Sequence, residues 1–181
     1  MTTQTKRIII LVEDLFNIFE FWYPYYRLQE AGMEVTVVGP EKGKFYTGKP
    51  ATEIQADIDA ASVRVEDYHG LLIPGGYAPD RMRRYPAMVD IVRNMNMDQK
   101  PVAAICHAGW MLISADILKG RSVTSYVAIK DDMLNAGAVW KDRPVVVDKN
   151  LITSRKPEDL PVFMKTFLMM FEKERPPAAS F

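Results

Sequence analysis

The apolar residues of this chain fall into two kinds of run. Short continuous stretches rich in Ile, Val and Leu recur, and between them lie longer stretches in which apolar residues return every third or fourth position. A continuous β-branched run fits a strand covered on both faces, and the wider spacing fits a helix with one buried side. RIIILV, residues 7–12, is the first strand. FNIFEFWYPYYRLQEA, 16–31, is helical and stops at Gly32, with Pro24 inside it implying a kink or a short first turn. EVTVVGP is a second strand, and KFYTGKPATEI, with Gly and Pro among β-formers, is a small hairpin or an irregular excursion. YHGLLIPGG is a strand running into a double glycine. Residues 80–97 are then helical, and PVAAIC is a strand entering HAGWMLISADIL, helical as far as Lys119-Gly120. RSVTSY is a strand, IKDDMLNAGA a short helix, and RPVVVDKNLITS two strands about a turn at Asp148-Lys149-Asn150. A last helix over 158–174 places Leu160, Phe163, Met164, Phe167, Leu168 and Phe171 on one face, and its tail RPPAASF reads as frayed.

Strands alternating with helices along the whole chain predict an α/β domain. It is doubly wound, with a mostly parallel sheet and helices on both faces. Such sheets bind ligands beyond the carboxyl ends of their strands. Three points of chemical interest fall there: the acids Glu13 and Asp14, the pair Gly75-Gly76, and Cys106.

Composition narrows the picture. The 181 residues read as a single domain, 1–181, long enough to bury a core without staples. Lys and Arg number 23 and so do Asp and Glu, so nothing draws the chain generally to nucleic acid or to a membrane. One cysteine makes no internal disulfide, and the apolar run near the start is too short for a signal peptide or a membrane span, which predicts a cytoplasmic protein. The two histidines lie far apart, without zinc-ligand spacing, and neither a metal nor another cofactor is expected.

Cys106 is the residue that changes the reading. A tight strand-to-helix turn projects its central side chain outward and demands small neighbours, which Ala104, Ala108 and Gly109 supply. The start of a helix also favours thiolate over thiol, so the turn predicts a lowered pKa. A buried, inert cysteine is the plain alternative. His107 stands next to it, but adjacent side chains at such a turn are expected to diverge, leaving its ring short of the sulfur; a capping or surface histidine is the alternative. Its backbone N–H, paired with that of Gly76, would form an oxyanion hole. Gly75 and Gly76 read equally as plain turn glycines.

The segments AAICHAGWMLISADILKGRSVTSY, LLIPGGYAPDR, DDMLNAGAVWKDRPVVVDKNLITSRKPEDLP and FEFWYP together resemble the ThiJ/PfpI superfamily, most closely its short PfpI-like branch. The resemblance implies a flavodoxin-like domain, similar to class I glutamine amidotransferases, with a nucleophile elbow. It also implies a homodimer, sometimes a hexamer, with sites at the subunit interface. The reactive cysteine then maps to Cys106 and its partner glutamate to Glu20. The histidine maps to His107, oriented by an acid from a neighbouring subunit. That acid maps to Asp80, one methylene shorter than the glutamate the family more often carries. Tyr126 takes the place where some relatives have a second histidine, and would line the pocket with Gly75. No histidine follows His107, so a glutaminase triad is excluded. Glu20 also has a reading of its own: a carboxylate beside a thiolate would repel it, so one of the two should keep a proton.

Three functions compete. In the first, Cys106 attacks a small reactive aldehyde such as methylglyoxal and Glu20 shuttles a proton, giving lactate as in glyoxalase-like members of the family, or reversing glycation. In the second, Cys106, His107 and a partner-chain Asp80 cleave peptides or amides. In the third, Cys106 is an oxidation sensor, or the protein is a chaperone, without catalysis. The first is favoured because Cys106 and Glu20 suffice for it.

Overall fold

The computed structural model describes residues 5–172, and among them no helix is long and apolar enough to cross a membrane. Strand β1 (Arg7–Leu11) leads through the two-residue β2 (Phe16–Asn17) into helix α1 (Ile18–Glu30). The chain continues with β3 (Glu34–Gly39), β4 (Phe45–Lys49), β5 (Glu53–Gln55), β6 (Ile58–Asp59) and β7 (Gly70–Ile73). Helices α2 (Ala78–Met82) and α3 (Pro86–Met97) precede β8 (Val102–Ile105), which runs into α4 (Gly109–Ser114). After β9 (Ser122–Val123) come α5 (Lys130–Asn135), β10 (Val139–Trp140), β11 (Val145–Asp148), β12 (Leu151–Ser154) and α6 (Leu160–Glu172).

Seven of these strands form one sheet in the order β11-β12-β8-β7-β1-β3-β6. All neighbours run parallel except β11, which turns back antiparallel on β12. The doubly wound, mostly parallel α/β architecture expected from the alternating runs is present. Ile8 to Leu11 and Leu71 to Ile73 are fully buried, each side chain contributing on the order of 1.5–3 kcal/mol by leaving water. Helix α6 packs against α1 and β12, while α3 packs against α4, β7 and β8, so layers of helix flank the sheet. The apolar face of α6 is buried at all six expected positions, from Leu160 to Phe171.

Several elements differ from the sequence reading. The helix expected over 80–97 is two helices, because Pro86 opens α3 and holds Tyr85 extended at φ −103° and ψ 107°. The helix after Cys106 stops at Ser114, with Asp116 at φ 57° turning the chain away. RSVTSY pairs only over Ser122–Val123, in a small parallel ladder with β10. Pro24 sits inside a continuous α1, where its missing N–H leaves the Glu20 carbonyl without a helical donor. The 45–55 segment is an antiparallel hairpin, β4 with β5. Helix α6 starts two residues later than expected, after a 3₁₀ turn at Pro157–Asp159; its expected end at 174 and the RPPAASF tail lie outside the described residues.

Candidate active site

The carboxyl ends of β1, β7 and β8 lie side by side, and the chain leaves them through three tight turns. Cys106 follows β8 with φ 61°, a left-handed conformation that costs a non-glycine residue on the order of 1–3 kcal/mol. After β7, Gly75 and Gly76 are required by space and by angle. A Cβ on Gly75 would stand 2.6 Å from Glu20 Oε2 and 2.7 Å from the Cys106 Cβ, while Gly76 has φ 77° and lies against the Leu15 carbonyl. After β1 the chain enters α1, whose N-cap Asn17 accepts hydrogen bonds from the N–H groups of Phe19 and Glu20. That cap fixes the first turn of α1 and sends Glu20 toward the sulfur.

Glu20 is completely buried. Its Oε2 accepts a hydrogen bond of 2.8 Å from the Gly75 N–H, and Oε1 is buried without a hydrogen-bond partner among the described residues. No cation among those residues compensates it. Burial raises its pKa to about 7, the Gly75 N–H and the Cys106 thiol pull partly the other way, and Glu158 adds a further push upward. Cys106 is 8% exposed. Its thiol is pushed up, first by burial and then by the Glu20 charge, against the pull of the neighbouring His107 and Gly76 N–H groups. This reverses the lowered pKa expected from the helix start. Helix α4 is only six residues long and begins after a 3₁₀ turn, so its field is small beside the cost of desolvation. The Glu20 charge opposes ionisation of Cys106, while the neutral thiol favours the Glu20 carboxylate, so of the two groups the sulfur is the one that keeps its proton.

The expectation that His107 falls short of its neighbour's sulfur is also corrected. Nδ1 of His107 lies 3.2 Å from Cys106 Sγ. The left-handed backbone at Cys106, followed at once by the 3₁₀ turn, brings the two consecutive side chains together. The imidazole is stacked on Tyr126 at 5.2 Å and meets Trp110 edge-on, also at 5.2 Å. Burial pushes its pKa down, favouring neutral imidazole. Tyr126 further donates its backbone N–H to the Cys106 carbonyl.

Cys106, Glu20, His107, Tyr126 and the N–H groups of Gly75 and Gly76 are thus brought together within one chain. Asp80 is not. Its carboxylate is about half exposed on α2, and pairs with Arg84 one turn further on. Trp110 escaped the sequence reading as a candidate, and Glu13, noted there as a point of interest at a strand end, was given no role. Trp110 donates its indole N–H to Asp132 at 2.9 Å across 22 positions of chain, a pairing with no local signal. Glu13, at the end of β1, is 3% exposed, with Oε1 on the Asp14 N–H and Oε2 unpartnered among the described residues; burial raises its pKa.

A buried cysteine on a strained turn with a carboxyl and an imidazole at its sulfur defines a candidate nucleophile. The chain belongs to the DJ-1/PfpI family, whose model matches residues 6–170. It is 44% identical to the Pyrococcus furiosus protein named deglycase PfpI, over 92% of this chain and 99% of that one. It is 39% identical to the putative cysteine protease YraA of Bacillus subtilis, over 93% and 99% of the two chains. Among solved structures, a two-domain Anabaena variabilis protein containing DJ-1/ThiJ/PfpI-like and ferritin-like domains superposes with a TM-score of 0.91 at 39% identity. The match covers 95% of this chain and 52% of that one.

Proposed function

We propose that this chain is a cytoplasmic, cysteine-dependent enzyme that converts small reactive aldehydes such as methylglyoxal, free or as adducts on amines and thiols, to hydroxy acids. The observation that carries the reading is the Glu20 carboxyl, fully buried, without a cation and facing the Cys106 sulfur. With a pKa near 7 it can both accept and return a proton at neutral pH. The thiol proton passes to Glu20 as sulfur bonds to the aldehyde carbon. The developing oxyanion lies by the N–H groups of Gly76 and His107, and protonation gives a hemithioacetal. Glu20 then removes the proton from that carbon and returns it to the neighbouring carbonyl carbon, while the hemithioacetal hydroxyl proton passes to that carbonyl's oxygen, leaving a thioester. Water cleaves the thioester, releasing lactate and restoring the thiol. The aldehyde carbon is oxidised as its neighbour is reduced, so no outside oxidant enters the balance. The name of the Pyrococcus furiosus relative supports extending the reading to glycation adducts.

The test is lactate formation from methylglyoxal by the wild-type protein and by Cys106→Ala. Lactate from the first and none from a folded Cys106→Ala supports the reading, and equal turnover by both overturns it. The 3.2 Å approach of His107 Nδ1 to the sulfur favours a second reading, a cysteine peptidase, which the name of the Bacillus subtilis relative also supports. There Asp80 would have to reach His107 from a second copy of the chain. Release of fluorophore from short peptide amides, lost on Asp80→Ala, with no lactate formed, would decide for it.

A further inference from the structure

We propose that Trp110 and Asp132 form a positioning arm that holds His107 against the Cys106 sulfur. Trp110 stands three residues after His107, one helical turn on, and its indole meets the imidazole edge-on at 5.2 Å and 62°. Tyr126 stacks on the same imidazole at 30°, so the ring is gripped between two aromatic side chains. From Nε1 the indole donates 2.9 Å to Asp132 Oδ2, on α5. Trp110 is half-buried, packed in part against the core and open on its other part. It forms part of the wall of an open groove of about 440 Å³, lined also by Arg83, Ile113, Asp132, Asn135 and Ala136. Contact with the core therefore does not fix the indole from that side. The Asp132 acceptor does, with the Arg83 guanidinium 6.0 Å from the ring centre as a weaker neighbour. A chain of contacts runs from Asp132 through Trp110 and His107 to the sulfur, and its first link is a single hydrogen bond at the surface. Loss of that bond frees the indole toward the groove and lets the imidazole turn its Nδ1 away.

The proposal rests on His107 acting on the Cys106 thiol, whichever substrate the thiol attacks, so its test is independent of turnover. Cys106 is the chain's only cysteine, and its alkylation by iodoacetamide at neutral pH reports the thiol alone. Asp132→Ala and Trp110→Phe should each slow alkylation roughly 3- to 10-fold, the range one hydrogen bond commands. The double variant should be no slower than either single one, since both remove the same bond. Asp132→Asn, which keeps an oxygen acceptor, should restore the rate to within about twofold of wild type. Additive losses, alkylation of Asp132→Asn as slow as that of Asp132→Ala, or unchanged or faster alkylation in the single variants would each overturn the arm. Trp110→Phe keeps an aromatic ring and Asp132→Asn the shape, so a misfolded Asp132→Ala would still leave the comparison decisive. Absence of lactate from the wild-type protein would count against the proposed function and leave this result standing.

Discussion

Asp159 and Glu20 are both carboxyl side chains inside the protein, 6% and 0% exposed, and their surroundings are opposite. Asp159, between β12 and α6, takes both prongs of the Arg155 guanidinium, Nε at 2.9 Å on one oxygen and a terminal nitrogen at 3.1 Å on the other. Arg155 reaches on to Asp142 at 2.7 Å, so one guanidinium with two carboxylates ties β12, α6 and the loop before β11 together. Glu20 has a single backbone N–H, a sulfur and, among the described residues, no cation. An acid that only holds elements together is best matched by a fork of donors, because an unpaired buried charge is costly. An acid left with one donor titrates near neutrality instead, so it can take up a proton and give it back.

The comparison can be pressed from both ends. The largest effect is expected at the sulfur: Cys106→Ala or Cys106→Ser should abolish aldehyde turnover while circular dichroism and the melting midpoint stay close to wild type, since both replacements fit the space of the thiol and remove no more than one atom's worth of packing. Next comes Glu20→Gln, which keeps a donor to sulfur and removes the transferable proton; the rate should fall roughly 10²-fold or more, read as lactate formed. The same substitution should change how stability depends on pH. In the folded chain Glu20 titrates near 7, above the ordinary 4.5, so the fold holds a proton that the unfolded chain has released. The stability this contributes is complete below the ordinary value and is lost as pH rises through 7, about 3 kcal/mol over that window. Urea midpoints at pH 5 and pH 8 should therefore differ more for wild type than for Glu20→Gln. The smallest effect on turnover is expected at the matched acid. Asp159→Ala should lower the melting midpoint by roughly 2–6 °C and leave the rate within about twofold.

Much of this arrangement is legible in the sequence, for identifiable reasons. The buried strands read directly because β-branched runs such as IIILV have few other fates, and the core face of α6 reads because Phe163, Phe167 and Phe171 recur at helical spacing. Cys106 stands out through its small neighbours and the strand before it, and Glu20 through the family pattern. What does not read is whatever depends on distant segments meeting. Burial of the Cys106 thiol, and hence the upward direction of its pKa, comes from Glu20, 86 positions away in the chain, and from packing that no local motif encodes. The approach of His107 to its neighbour turns on one left-handed backbone angle. The break at Arg83–Tyr85 had a visible cause in Pro86, outweighed in the sequence reading by the apolar spacing on either side.

The central claim is that Glu20 titrates near neutral pH inside the protein, so that it can both take a proton and give it back. Infrared difference spectra between wild type and Glu20→Gln, recorded across a pH titration, test it directly. The account predicts a carbonyl band from a protonated, buried carboxyl in the wild type alone, disappearing with a midpoint near 7. A spectrum showing Glu20 already ionised at pH 5 would contradict it, because the acid would then be held as a carboxylate like Asp159, too weak a base to take the thiol proton and return it.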